Sequence, residues 1–148
     1  MRNSYSFHSP WVKTPLTSIE FHDYLSRSQQ VNQRSFLLLR DKQLVGVFNI
    51  NEIVRTAFQS AYLGFYVVSS QAGKGYMSLG LRLILEKAFT DLSLHRLEAN
   101  IQPQNQASIS LVRNNGFRKE GFSPRYLKIN ERWCDHERWA LTLEEWQK

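Results

Sequence analysis

The residues with the plainest chemical potential are Gly73-Lys74-Gly75, set between an apolar run and a segment of helical period. The start of a helix leaves backbone N–H groups unpaired and carries partial positive charge. Glycines let the chain turn tightly and come close to a ligand. Together they describe a phosphate site built from backbone amides, with Lys74 adding charge at the same place. An ordinary glycine turn ahead of a helix fits the same three residues. Two named phosphate motifs are absent. No GxxxxGK[ST] run is present, which excludes a P-loop, and no GxGxxG follows a strand with an acidic residue downstream, which speaks against a dinucleotide fold.

A second pair, Asn105 and Ser108, lies three residues apart on one face at the start of a later helix. Capping alone explains both residues. A capped helix end is also a good place to position a thioester. The histidines, His8, His22, His95 and His136, are scattered without metal-ligand spacing, so no metal site is expected. His136 sits between Asp135 and Glu137, where a structural role comes first and a substrate-facing one second. Cys134 is the only cysteine and has no histidine beside it for nucleophilic catalysis.

These residues need elements to hold them. Residues 1–17, with two prolines and Trp11, read as an irregular arm. Ser18 caps a helix through Leu25, with Ile19, Phe21, Tyr24 and Leu25 as its apolar residues. Ser35–Arg40 and Leu44–Asn51 form a hairpin around Asp41-Lys42-Gln43. Tyr62–Val68 is a strand buried on both faces. Tyr76–Leu92 is a helix whose stripe is Met77, Leu81, Ile84, Leu85, Ala88 and Leu92. A strand at Arg96–Ile101 follows, then a helix from Asn105 to Asn114 closed by Gly116. Strands at Ser123–Ile129 and Trp133–Leu143 turn at Asn130-Glu131-Arg132. The fold class is mixed α/β, a mostly antiparallel sheet with helices on both faces.

The chain of 148 residues suits one domain, 1–148, with 42% hydrophobic residues and no repeat or linker. Its formal charge of +6 favours an acidic partner, such as a nucleotide cofactor, or simply a solvated basic surface. A lone cysteine, no apolar run near ~20 residues and a polar N-terminus point to a cytoplasmic protein without a membrane span. Basic residues are dispersed, so direct nucleic-acid binding is not expected.

In order and spacing these segments resemble the GNAT superfamily of N-acetyltransferases. Its first motif is a strand, then [Q/R]-x-x-G-x-[G/A], then a helix; here Ala72-Gly73-Lys74-Gly75-Tyr76-Met77 stands in that place. The second resembles Asn105-x-x-Ser108 through Gly116-Phe117. Gly-Lys-Gly-Tyr-Met, His95-Arg96-Leu97-Glu98-Ala99 and the last hairpin, from Tyr126-Leu127 to Trp139, are similar to the ribosomal-protein alanine acetyltransferase branch. The resemblance implies acetyl-CoA as co-substrate. It places Val67 and Val68 along the pantetheine, the amides from Ala72 to Met77 (Gly73, Lys74, Gly75 and Tyr76 included) around the pyrophosphate, and Asn105 on the pantetheine arm. It implies Ser108 as the acid that meets the thiolate, because Val112 occupies the usual tyrosine position. Glu98 stands as the base, with a structural ion pair as its other reading. Tyr66, Asn100, Tyr126 and His136 are the candidates for contact with the acceptor. The acceptor it implies is a protein N-terminal α-amine, as in a ribosomal protein. Small amines and a non-catalytic CoA-binding module are the alternatives. The strand that usually opens the fold has no counterpart in the nine residues before Pro10, which leaves an edge that a second copy could cover as a homodimer.

Overall fold

Asp41 and Lys42 both take positive φ, 50° and 65°. That left-handed pair gives a tight hairpin turn the twist its strands need. It joins β1 (Arg34–Arg40) to β2 (Gln43–Val54), antiparallel, with Phe36 opposite Phe48. The structure, a computed structural model, describes residues 2–148. β2 pairs antiparallel with β3 (Ser60–Val67), Phe48 opposite Phe65. Asn130 and Glu131 repeat the turn device, φ 47° and 64°, between β5 (Arg118–Ile129) and β6 (Arg132–Thr142). With β4 (Arg96–Ile101) between the two groups, the sheet runs β1-β2-β3-β4-β6-β5. Among the described residues only β3 and β4 pair in parallel.

Among the described residues five α-helices accompany the sheet: α1 (Tyr5–His8), α2 (Ser18–Ser28), α3 (Tyr76–Phe89), α4 (Gln106–Asn114) and α5 (Leu143–Trp146). The stripe on α3 buries Leu81, Ile84, Leu85 and Ala88 in a core shared with Phe48, Ile50, Leu63 and Leu97, and with Ile109 and Val112 of α4. A Cβ on Gly80 would stand 2.8 Å from the Phe48 ring and 2.9 Å from Leu38, so α3 lies unusually close to the sheet there. On the opposite face, Asn49, alternating with Phe48 and Ile50, accepts a 2.8 Å hydrogen bond from the Tyr24 hydroxyl of α2.

Three expectations change. Thr17, not Ser18, caps α2, through a capping box with Glu20. Ile19, Phe21 and Leu25 remain exposed, so Tyr24 anchors a helix whose apolar residues do not define a core face. Residues 2–17 are also more ordered than an arm. They hold a 3-10 turn (Arg2–Ser4) and α1, and are tied down at separated points. Ser69 N–H donates to Ser4 Oγ at 3.1 Å, the Gln102 amide donates to the Pro10 carbonyl at 2.9 Å, and Asn130 donates to the Ser9 carbonyl. Among the described residues no strand precedes β1, so β1 is an edge.

Leu97 is fully buried at the centre of the sheet. Leu97→Ala is expected to lower stability by about 2–5 kcal/mol in denaturant unfolding, through lost burial and the cavity left behind.

Candidate active site

The site is set by where two strands part. β3 and β4 pair only at Ser60–Arg96, Ala61–Leu97 and Tyr62–Glu98. Beyond these pairs β3 continues to Val67 and β4 to Ile101 without a shared ladder. Val68 N–H donates to the Val45 carbonyl at 2.7 Å, and Tyr66 lies opposite Val47 in the same register. An antiparallel ladder alternates the direction of its backbone groups. Phe65 and Val67 therefore turn theirs away from β2 and into the gap. The His8 ring meets the Val67 carbonyl, with its Nε2 buried and unpartnered, and the Val67 N–H stays outside the β2–β3 ladder.

At one end of the gap the chain leaves β3 through a 3-10 turn (Ser69–Gln71) and enters α3. Gly73 and Gly75 take φ of 72° and 79°, and a Cβ at either would meet nothing within 4 Å. Gly75 is the N-cap of α3 in the left-handed region, with no side-chain cap. The N–H groups of Gly73, Lys74, Gly75, Tyr76 and Met77 find no acceptor among the described residues. That is a crown of free donors at the positive end of a helix, the arrangement that binds phosphate. Lys74 Nζ donates to Gln71 Oε1 at 3.2 Å on the solvent side. Ala72 departs from expectation, because its N–H is committed to the Ser69 carbonyl at 3.2 Å. The Tyr76 ring carries the Arg40 guanidinium 4.8 Å above it, and the Met77 sulfur fills the space that a Gly46 Cβ would need. Both side chains are occupied, so only their backbones are available to a ligand.

The gap widens into a cleft of about 1080 Å³. Its walls bring together Tyr66, Val67, Ala72 to Met77, Asn100, Asn105, Ser108, Tyr126 and His136. The Asn105 side chain accepts from Ser108 N–H at 3.2 Å and so caps α4, and Ser108 lines the cleft. Asn100 Oδ1 is buried without a hydrogen-bond partner, an acceptor waiting for a donor. Tyr66 is 8% exposed, and burial pushes its phenol well above the usual range, so it acts as a neutral hydrogen-bonding group. The ring of Tyr126 lies 6.1 Å from that of His136, whose Nδ1 faces the Cys134 carbonyl at 2.9 Å.

Two expected residues stand outside this lining. Val68 has its N–H tied to Val45, as above. Glu98 is paired with Arg96 at 2.7 Å, and Arg96 in turn grips Glu120. Its carboxylate belongs to an ion-pair chain that runs on to Arg118 and Glu145, which corrects its expected place as the base in the cleft. Alternation on β4 puts Glu98 and Asn100 on one face, but only Asn100 reaches past the parting of the strands.

Residues not singled out from sequence complete the walls. Phe7, His8, Trp11 and Val12 form one side, because the N-terminal segment crosses the gap from Ser69 to Gln102. Tyr62 is half-exposed, with its phenol raised by burial and then by the neighbouring Tyr126 and Glu98. Asn51 and Glu52 enter from β2. Tyr62, at the end of the short parallel ladder, was readable as a cleft residue from the strand order; His8 and Glu52 carry no local signal. No group of three His, Cys, Asp or Glu residues that could hold a metal occurs among the described residues.

His8 is 3% exposed, and burial lowers its pKa below the ordinary 6.5, against the opposing hydrogen bond to the Val67 carbonyl. The unfolded chain then binds a proton that the folded one resists. Stability present above pH ~6.5 is lost as the pH falls through that value toward the folded pKa. His8→Gln is expected to flatten this part of the stability profile below pH ~6.5, measured by denaturant melts. At the crown, Gly75→Ala is expected to cost about 1–2 kcal/mol for the left-handed φ alone, since the added methyl meets no atom.

Residues 1–118 match the family described as Acetyltransferase (GNAT) domain. A probable N-acetyltransferase of Bacillus subtilis (strain 168), YjcK, is 34% identical over 122 residues, covering 82% of this chain and 67% of that protein. The [ribosomal protein uS5]-alanine N-acetyltransferase of Escherichia coli (strain K12) is 36% identical over 106 residues, covering 72% of this chain and 55% of that one. The chain thus aligns with about two thirds of one relative and just over half of the other. The structure of Mycobacterium smegmatis RimJ in complex with CoA-disulfide superimposes with a TM-score of 0.87 at 29% identity, covering 99% of this chain and 76% of that one. No helix among the described residues is long and apolar enough to cross a membrane. With the parted strands, the amide crown and these matches together, the chain belongs to the GNAT acetyltransferase family, enzymes that move an acetyl group from acetyl-CoA to an amine.

Proposed function

We propose that this chain is an acetyl-CoA-dependent N-acetyltransferase whose acceptor is a protein N-terminal α-amine, such as that of a ribosomal protein, in the cytoplasm. The observation that carries the reading is the continuity of one cleft. It runs from the free amides of Gly73 to Met77, past the outward-facing Val67 N–H, to a wall of neutral polar and aromatic groups. These residues fit acetyl-CoA: a diphosphate needs the crown, an amide-bearing arm needs an unpaired strand edge, and both are present. Bound there, acetyl-CoA supplies an activated acyl group.

Charge on the acyl oxygen, the departing thiolate and the acceptor each meet a group of this chain, and the amine's protons go to solvent. The amine nitrogen bonds to the acyl carbon while the carbon–sulfur bond breaks and its electron pair stays on sulfur. The N–H groups that Phe65 and Val67 turn into the gap are the donors for negative charge on the acyl oxygen. Ser108, at the mouth of the capped helix, donates to the departing thiolate. Asn100 Oδ1 and the Tyr66 and Tyr126 phenols supply polar contacts to the acceptor. The ammonium gives up one proton to become the attacking amine and a second as the amide forms; both pass to water, and water restores the proton that Ser108 hands to the thiolate.

A polyamine acceptor suits the walls less well. Among the described residues lining the cleft, Glu52 is the one carboxylate. A polycation needs several, whereas one charge and neutral polar flanks match a peptide terminus.

Isothermal titration with acetyl-CoA should give binding that the Gly73→Glu, Gly75→Glu double variant loses. Thiol release with an alanine-led peptide should exceed that with spermine in kcat/KM; the reverse order would assign the chain to small amines. Ser108→Ala should lower kcat on the order of 10²-fold while acetyl-CoA affinity holds. An unchanged kcat would remove Ser108 as the acid.

A further inference from the structure

Glu52 is out of place for a strand residue. It takes φ 51° in β2, at the bulge where the β2–β3 register shifts between Asn51 and Val54. A non-glycine residue in the left-handed region is strained, and bulges re-aim side chains. The carboxylate so aimed is exposed and has no hydrogen-bond or ion-pair partner among the described residues. It lines the cleft and also a second cavity of about 400 Å³ that shares Val12, Asn51 and Tyr66 with the cleft as lining residues.

The charges around this second cavity nearly cancel. Lys13 pairs with Glu20 at 3.6 Å, while Asp23 and Arg27 offer one charge of each sign. Glu52 is then the uncompensated charge at the border that the cleft and the second cavity share. The rest of the second cavity is neutral and mostly polar, with Tyr24, Gln33, Ser35 and Asn49 beside Val12 and Pro15. Thr14 also lines it, 2% exposed, with its Oγ1 buried and unpartnered. A buried hydroxyl without a partner is unfavourable unless something supplies one.

We propose that Glu52 docks the positively charged α-amine of the acceptor peptide, and that the second cavity takes the peptide's following residues, with Thr14 meeting their backbone. The proposal rests on the acetyl-transfer reading and adds to it the residue that selects the acceptor. One carboxylate recognises one ammonium. A neutral polar cavity behind it fits a peptide backbone better than a second cation. Glu52 is a binding residue here: it holds the ammonium until the proton is lost to solvent, and the bulge sets its direction.

The test uses the full chain saturated with CoA and an alanine-led hexapeptide with neutral polar residues behind the alanine. The probes are that peptide, its N-acetylated form, which has no charge at the terminus, and alanine amide. Calorimetry should show the free-amine peptide binding roughly ten- to hundred-fold tighter than the acetylated one. Glu52→Gln should abolish that difference. CoA affinity and melting temperature should stay unchanged, because the side chain has no partner to lose. Thr14→Val should weaken the hexapeptide at least about three-fold and leave alanine amide unaffected. Equal binding of both peptides by the parent, or a difference that survives Glu52→Gln, overturns the docking role. A hexapeptide affinity untouched by Thr14→Val overturns the role of the second cavity. Thiol release is read separately. Peptide discrimination through Glu52 without turnover would uphold the docking site and defeat the acetyl-transfer reading instead.

Discussion

Every functional feature of this molecule follows from the parting of β3 and β4. Three residue pairs hold the two strands together, and then the ladder stops. Sheets normally leave no backbone donor unpaired inside them, because an orphaned buried N–H is costly. Here the alternation of β3 sends the Phe65 and Val67 groups into space. One of the freed carbonyls is answered by His8. The others need a ligand or solvent. The same parting aims the chain after Val67 toward the start of α3, so the strand edge and the helix amides face one another across a single cleft.

The fold spends its rigid core on keeping that gap open. α3 packs so closely on β2 that Gly80 is needed beneath Phe48, and the Met77 side chain fills the space over Gly46. With its side chains engaged on the sheet and under Arg40, the helix start offers only backbone to a ligand. That explains why a site of this kind tolerates Ala72 and Met77 where related motifs carry other residues. Specific polar side chains matter at the other end, where Asn100, Tyr126 and Glu52 meet the acceptor's side of the cleft.

Much of this was legible in the residues. The period of Tyr76 onward, the two hairpin turns and the Asn105 cap are local signals, and local signals fix elements well. The glycine crown was visible because positive φ leaves a compositional mark. What failed to show was long-range. Glu98 looks like a base on a strand beside the cleft; only the fold reveals that Arg96 and Glu120 have claimed it. The first residues read as irregular because prolines and polar groups mask anchoring points as distant in sequence as Ser69, Gln102 and Asn130. Nor does any pattern around Glu52 announce its bulge, which arises from register against β3.

The most direct measurement of the central claim is an amide-resolved NMR titration with coenzyme A. The account predicts that the N–H signals of Phe65, Val67 and Gly73 to Met77 shift together and saturate at one affinity, while Tyr66, Val68 and Ala72, already bonded within the protein, move far less. Saturation by coenzyme A with the Val67 and Gly73 to Met77 signals unmoved would contradict it.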